Sequence, residues 1–453
     1  MIEDWWNIVM LHQFFCFKKY DNLFSMYIFY EKIIVVMEMK RYTELLREEL
    51  VLAMGCTEPI AIAYAVALAN KHLQDEVIAM KIAVSGNIIK NVKSVIVPNT
   101  GGLRGIGAAA VAGLVGGNPD LELEVLSQVT LEQKIKMKEV LETLEIDVKE
   151  SKSEYILDIL IELQGKEHQS SVRLVNRHNH VYEIKVDGNV IYHAQFQEKE
   201  EKDRSFMSIE SILEYVESVD VNEVKDVLDR QIECNMAIAQ EGLTGHYGAA
   251  IGLTLLSAYG DSVQNRARAY AAAGSDARMN GCELPVVINS GSGNQGLSAS
   301  LPVIVYAQDM CATDEQLYRA LLVSNLVTIH LKTGIGCLSA YCGAISAACG
   351  GAAGVTYLHG GRFNEIAHTI VNALAINSGV VCDGAKASCA AKIASAVESA
   401  LLGMQMYMHG RQFYGGDGLV SKGVENTIKN ISRLASQGMA MTDKEIIDIM
   451  MEN

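Results

Sequence analysis

Positive charge is what this sequence most lacks. Lys and Arg number 38 against 54 Asp and Glu, which leaves a formal net charge of −16. Such a balance disfavours phosphate backbones and anionic lipid headgroups, so neither nucleic acid nor a membrane is an expected partner. Cysteine, at ten in 453 residues, is too sparse for a disulfide scaffold. Most cysteines stand in apolar Ala/Gly surroundings, which suits a reducing cytoplasm. Nucleotide and zinc signatures are missing too. Neither of the glycine-rich turns, Pro98 to Gly102 and Ser290 to Gly296, ends in Gly-Lys-Ser/Thr, and neither makes a good Rossmann fingerprint. His246, His330, His359, His368 and His409 show no HExxH or paired zinc spacing. No Schiff-base lysine with a phosphate cup can be singled out, so pyridoxal phosphate is not expected. Charge is absent from Gly334 to Leu358, a stretch long enough to cross a bilayer. Its Gly, Ala, Ser and Cys gain little from lipid and suit close helix contact instead, so it reads as a buried central helix or helix pair.

The first 40 residues differ from the rest. They contain no Ala and no Gly, yet hold Trp5, Trp6 and ten of the chain's aromatic residues. Lys18, Lys19, Asp21, Glu31 and Lys32 interrupt any apolar run, and no small-residue cleavage site is visible, so this is no secretory signal. It is either a product of an upstream start, an appended segment with little role in folding, or a helix that packs on a partner.

A chain of this length can bury a sizeable core and suggests more than one domain. The fold class expected is α+β, with a smaller mixed α/β N-terminal domain and a mostly helical C-terminal catalytic domain. The boundaries expected are 1–38 for the extension, 39–204 for the α+β domain and 205–453 for the helical domain. Arg41 to Asn70 reads as helical, broken at Cys56-Thr57-Glu58-Pro59, with Thr57 as cap and Pro59 in the first turn. Val77 to Val84 and Val92 to Val97 read as strands around a turn near Gly86-Asn87. Thr100 to Gly117 reads as an Ala/Gly-rich helix. Ile146 to Gln195 is the β-rich part, with a hairpin signal at Asp187-Gly188. The charged run Gln197 to Arg204 marks the boundary, and helical periodicity dominates from Ser208 onward.

Three cysteines in the low-charge half carry the chemistry. Cys342 stands in Ala340-Tyr341-Cys342-Gly343-Ala344, and Cys382 and Cys389 flank a seven-residue step 40 residues later. Three thiolates can hold a cubane iron–sulfur cluster with one iron open, and an open iron is a Lewis acid for a substrate atom. The same cysteines also suit core filling, since free cysteine is among the most buried residue types. Cys337 and Cys349 read as core fillers or as ligands in another register. Cys282 matches less well, and Cys16, Cys234 and Cys311 look structural. His330 reads as a packing residue.

Four motifs occur in one order: Gly55-Cys56-Thr57-Glu58-Pro59, Pro98-Asn99-Thr100-Gly101-Gly102, Ser290-Gly291-Ser292-Gly293-Asn294-Gln295-Gly296, and Cys382 to Cys389. Together they resemble the L-cysteine desulfidase family, related to the alpha chain of iron–sulfur L-serine dehydratases. The resemblance runs from about Met39 to near the C-terminus. It implies a [4Fe–4S] cluster with one iron open to substrate, held by Cys342, Cys382 and Cys389 in the helical domain. It implies a catalytic role for Cys56, most simply as base at the α-carbon, and a return of Cys56 to the helical domain to meet the cluster.

The expected reaction is L-cysteine plus water to hydrogen sulfide, ammonia and pyruvate. Such an elimination removes the α-proton, stabilises the leaving thiolate, and holds the amine and carboxylate. Cys56 precedes a helix start, where the positive dipole end lowers a thiol pKa, or it only packs against Met54 there. Glu58 would orient Cys56, meet the substrate amine, or only serve the helix dipole. Asn99 and Thr100 sit in one turn with free backbone N–H groups, and Ser290 and Asn294 in another, so both turns are candidate substrate contacts. Lys386 would neutralise cluster or substrate charge, or stand at the surface. The alternatives are L-serine dehydratase, a non-enzymatic metal-binding regulatory protein, and a small-molecule transporter. Ala/Gly-rich helices also suit a homodimer interface. Mass spectrometry of the native N-terminus tests the upstream-start reading. A start at Met37 or Met39 is expected from it, and a mature protein beginning at Met1 sinks it.

Overall fold

The computed structural model describes residues 39–194, 204–336 and 339–452. The extension at 1–38 with Cys16, residues 197–203 of the charged run, and Cys337 lie outside the described residues. Residues 39–49 are helical (α1). The chain divides after Leu45, and Leu46 to Asn453 form one compact unit. That unit is α+β, as expected.

Its N-terminal part alternates strands and helices: β1 (Leu52–Met54), α2 (Thr57–Leu73), β2 (Val77–Val84), α3 (Gly86–Val92), α4 (Gly105–Gly116), α5 (Leu131–Thr143) and β3 (Glu145–Glu150). A meander of β4 (Asp158–Gly165), β5 (Gln169–Val175), β6 (Val181–Val186) and β7 (Asn189–His193) completes a six-stranded sheet in the order β3-β2-β4-β5-β6-β7. Only the β2–β3 pair is parallel. The β6–β7 hairpin turns at Asp187-Gly188, both at positive φ, which is the geometry that dipeptide favours. Helix α2 is buried along nearly its whole length and packs on β4, β5 and α4. Its apolar residues gain from leaving water whichever way they face, since sheet covers one side and helix the other.

The C-terminal part is helical: α6 (Ile209–Ser218), α7 (Lys225–Gly242), α8 (Ile251–Tyr259), α9 (Val263–Met279), then β8 (Pro285–Val287), α10 (Gly293–Asp309), α11 (Asp314–Thr333), α12 (Gly343–Leu358), α13 (Phe363–Ile376), α14 (Cys389–Met408), α15 (Val424–Arg433) and α16 (Ala440–Glu452). Helix α12 lies at the centre, against α10, α11, α13 and α14. Its small residues are what allow this. A Cβ at Gly350 would overlap Thr328 Oγ1 and the Ser324 carbonyl, and one at Gly354 would stand 2.7 Å from the Ala320 carbonyl. The uncharged stretch is thus a core helix and its approach. Among the described residues no helix is long and apolar enough to cross a membrane.

A two-stranded antiparallel ladder joins the two parts. Leu52 pairs with Val287, Ala53 with Val286 and Met54 with Pro285. It delivers Cys56 beside the turn that follows β8.

The local elements differ from expectation in four places. Leu52–Met54, inside the stretch read as helical, is strand β1. Val92 to Val97 is not a strand: Gly86 to Val92 is helix α3, and only Ile96 makes an isolated bridge, to Arg104. Ile88, Ile89 and Val92 share a helical face and are all buried, so the 3.6-residue period wins over alternation. The helix expected from Thr100 begins only at Gly105, because Gly101, Gly102 and Gly105 sit at positive φ and hold 98–104 as a loop. Cys56 rather than Thr57 occupies the N-cap of α2 and makes no side-chain cap bond, while the Thr57 hydroxyl bonds Glu58 and the Gly291 carbonyl instead.

Gly113 of α4 sets the approach to α2, since a Cβ there would overlap the Ala63 carbonyl. Gly113→Ala is expected to cost roughly 1–3 kcal/mol by forcing the helices apart, read as a lowered melting temperature.

Candidate functional site

Four helices begin around one cavity of about 110 Å³. Cys56 is the N-cap of α2, Cys342 the N-cap of α12, and Cys389 the first residue of α14; Asn294 is the second residue of α10. All four line the cavity, and so does Cys382. Each helix start turns unbonded backbone N–H groups and the positive end of its dipole toward that space. The cavity therefore favours anions before any side-chain charge is added.

The 40-residue gap between Cys342 and Cys382 is closed by backbone. Tyr341 and Val381 form an antiparallel bridge. The Cys342 N–H donates to the Val380 carbonyl at 2.9 Å, and the Cys382 N–H to the Ala340 carbonyl at 2.7 Å. The shorter gap is closed by a turn in which the Cys389 N–H donates to the Lys386 carbonyl at 3.0 Å. Gly384 permits that turn. It sits at φ +91°, and a Cβ there would overlap the Lys90 carbonyl.

The thiols differ in electrostatics. Cys342 is hydrogen-bonded to Cys382, which with burial holds the Cys342 proton on and pushes its pKa well up. The same bond, helped by the charges of Lys90 and Lys392, brings Cys382 below the ordinary thiol value against the pull of burial. Burial pushes Cys389 up. Cys56 departs from expectation. Burial, followed by the charge of Glu58, drives its thiol well above the ordinary range, and Arg278 opposes only in part. The helix-start effect is real but smaller than desolvation at a fully enclosed sulfur.

Glu58 is the partner of Cys56. The thiol donates to Glu58 Oε2 at 3.0 Å, and Thr57 Oγ1 donates to the same oxygen at 3.1 Å. Asn91 Nδ2 donates to Oε1 at 2.9 Å, and His178 Nε2 stands 3.9 Å from it. Burial disfavours the Glu58 charge, but His178 and the hydrogen bonds outweigh it and hold the carboxyl at about 2.

Of the expected site residues, Cys56, Glu58, Ser290, Asn294, Cys342, Cys382 and Cys389 line the cavity. Asn99, Thr100 and Lys386 do not. Asn99 donates to the Leu126 carbonyl at 2.8 Å, and Thr100 donates to the Val97 carbonyl at 2.7 Å, so both side chains hold their own loop. That loop acts through Pro98, against which Gly55 is packed. Lys386 is paired with Asp383 and bonded to the Asp383 and Gly384 carbonyls. Gln295 and Tyr341, which stand within the sequence motifs, also line the cavity, and Lys90, Asn91, His178, Arg278 and Lys332 line it unannounced by any motif. His330 is paired with Glu425 at 2.8 Å, as a packing residue would be. Cys349 is buried in α12 and held up to about 12.

Among the described residues no three His, Cys, Asp or Glu side chains are placed to hold a single metal ion. An iron–sulfur cluster makes another demand, because each thiolate takes its own iron. Cys342, Cys382 and Cys389 meet that demand in kind. They are three thiols lining one cavity, one of them already inclined to ionise, with Lys90 and Lys332 lining the same cavity to balance an anionic centre.

Known proteins resemble this chain over most of its length. Residues 120–448 match the family model described as serine dehydratase alpha chain. A UPF0597 protein of Desulfitobacterium hafniense is 54% identical over 413 residues, covering 90% of this chain and 96% of the relative. One from Lachnoclostridium phytofermentans is 48% identical over 414 residues (91% and 99%), and one from Finegoldia magna 44% over 420 (91% and 100%).

Cys56 is expected to be alkylated slowly at pH 7 in cluster-free protein, because its thiol stays protonated. Glu58→Gln removes the repelling charge and leaves burial in place, so labelling of Cys56 should quicken. Peptide mass mapping against time reads both, and an unchanged rate in Glu58→Gln would mean that the carboxylate does not govern this thiol.

Proposed function

The chain belongs to the serine dehydratase alpha chain family, and on that premise we propose that it is a [4Fe–4S] L-cysteine desulfidase. It would convert L-cysteine and water to hydrogen sulfide, ammonia and pyruvate without pyridoxal phosphate. Family membership itself gives the coarser statement, a lyase of the serine dehydratase type. The observation that carries the finer reading is the meeting of Cys56 with Cys342, Cys382 and Cys389 around one cavity. The first residue suits proton transfer and the other three suit cluster ligation.

Cys342, Cys382 and Cys389 would hold the cluster. When bound, it would supply an open iron as Lewis acid to the leaving sulfur. The remaining work falls to this chain's side chains. Cys56 is the acid/base group. Its enclosed sulfur makes a thiolate, once formed, more basic than one in water, as an α-proton of low acidity requires. Glu58 aims the thiol through the 3.0 Å hydrogen bond and is itself fixed by Thr57 and Asn91. The product aminoacrylate hydrolyses to pyruvate and ammonia without further catalysis.

A second reading is L-serine dehydratase, favoured by the description of the matched family. Cysteine and serine share every group except the leaving atom.

Pyruvate release by anaerobically purified protein separates them, with L-cysteine expected to exceed L-serine. The reverse preference would move the chain to the dehydratases. No pyruvate from either, with iron present, would end both readings. Serine substitutions at 342, 382 and 389 are expected to lower iron and sulfide content, and full retention in all three rejects the ligand set. Cys56→Ser is expected to keep the cluster and lose turnover, while unchanged turnover removes Cys56 from the mechanism.

A further inference from the structure

Arg278, the penultimate residue of α9, is 2% exposed and lines the cavity. Among the described residues no carboxylate lies within ion-pair distance of its guanidinium. Nη1 faces Met279 Sδ at 3.9 Å, and Nε has no hydrogen-bond partner. Of the other buried cavity cations, Lys90 and Lys332, the first is paired with Asp443. An uncompensated buried charge is among the most costly arrangements in a protein, because its hydration is lost and nothing replaces it. Something that enters the cavity must supply the counter-charge.

The geometry around it narrows the ligand. The guanidinium packs against the first residue of α10, where a Cβ on Gly293 would overlap Nε. It is therefore held at a helix start that also favours an anion. A planar fork of donors matches a planar carboxylate. Two acceptors in the same cavity are also unpartnered, Asn294 Oδ1 and Gln295 Oε1 on the first turn of that helix. Glu58 is not available to an incoming ammonium in the same way, because both its oxygens already accept hydrogen bonds. An unmet cationic donor and unmet neutral acceptors in one small cavity call for a ligand carrying both charges.

We propose that Arg278 holds the α-carboxylate of an amino-acid substrate, and that Asn294 Oδ1 and Gln295 Oε1 accept from its α-ammonium. This assignment rests on the lyase reading for its substrate, and it supplies the recognition that reading lacks. The guanidinium is close enough to Cys56 for its charge to be felt at the thiol. A carboxylate anchored on Arg278 thus brings the neighbouring α-carbon toward the proposed acid/base residue.

The test uses anaerobically purified full-length protein and two fragments of L-cysteine. 3-Mercaptopropionate keeps the carboxylate and lacks the amine, and cysteamine keeps the amine and lacks the carboxylate. Calorimetric titration is expected to show a crossover. Arg278→Gln should weaken 3-mercaptopropionate roughly 10- to 100-fold, the loss of a charge-assisted bidentate pair, and leave cysteamine unchanged. Gln295→Met should weaken cysteamine and spare 3-mercaptopropionate. Arg278→Lys keeps the buried charge without the fork, guards against misfolding of the Gln variant, and should weaken 3-mercaptopropionate by a smaller factor. Equal losses for both fragments, or none, overturn the proposal. Loss of iron and acid-labile sulfide from Arg278→Gln also overturns it, since the guanidinium would then belong to the cluster. Arg278-dependent binding of 3-mercaptopropionate with no pyruvate from L-cysteine would sink the lyase reading alone. Pyruvate release with KM unchanged in Arg278→Gln would sink this proposal alone.

Discussion

The convergence of helix starts is the constraint on which the rest of the structure depends. An α-helix ends in peptide N–H groups that its own ladder cannot satisfy. Bringing α2, α10, α12 and α14 to one cavity concentrates those groups and their dipoles where water is scarce. Such a cavity is comfortable only around negative charge. It explains why cysteines stand at three of the four starts, why Arg278 and Lys90 can be tolerated beside them only with anionic company, and why Glu58, the one lining carboxylate among the described residues, is so thoroughly hydrogen-bonded.

Small residues serve the same end. Helix starts can crowd together only if the helices behind them pack closely, and the contacts at Gly113, Gly350 and Gly354 are made by backbone against backbone or short side chains. The Ala/Gly-rich composition of the helical half is therefore a consequence of building a site from helix termini. The central helix α12 carries no charge because it is surrounded by protein, and its N-cap brings Cys342 to the cavity.

Much of this was legible in the sequence, and the failures have physical causes. The β-meander announced itself through alternation and the Asp187-Gly188 turn, and Cys56, Cys342, Cys382 and Cys389 stood in motifs. Arg278 and His178 did not. One sits in an Ala-rich helix and the other in a hairpin loop, and a lone basic residue acquires meaning only when the fold removes its partners. Asn99 and Thr100 misled because a Gly-rich turn between a strand and a helix looks the same whether it meets a ligand or supports a neighbouring turn. The thiol of Cys56 was misjudged because position relative to a helix can be read from sequence, whereas enclosure cannot.

The β1–β8 ladder has a consequence for how the protein comes to exist. It is only three residue pairs long, yet it ties Leu52 to Val287, and the thiol set is complete only once Cys389 has joined. Contacts between such distant positions form late, because most of the chain must be ordered before the closure entropy is recovered. On the ribosome the first thiol emerges long before the last, so for much of synthesis Cys56 has no cavity to occupy. Its eventual neighbours in space from the second half of the chain are then unmade. The cavity is in this sense a report on the finished fold, complete only after both halves of the chain have met.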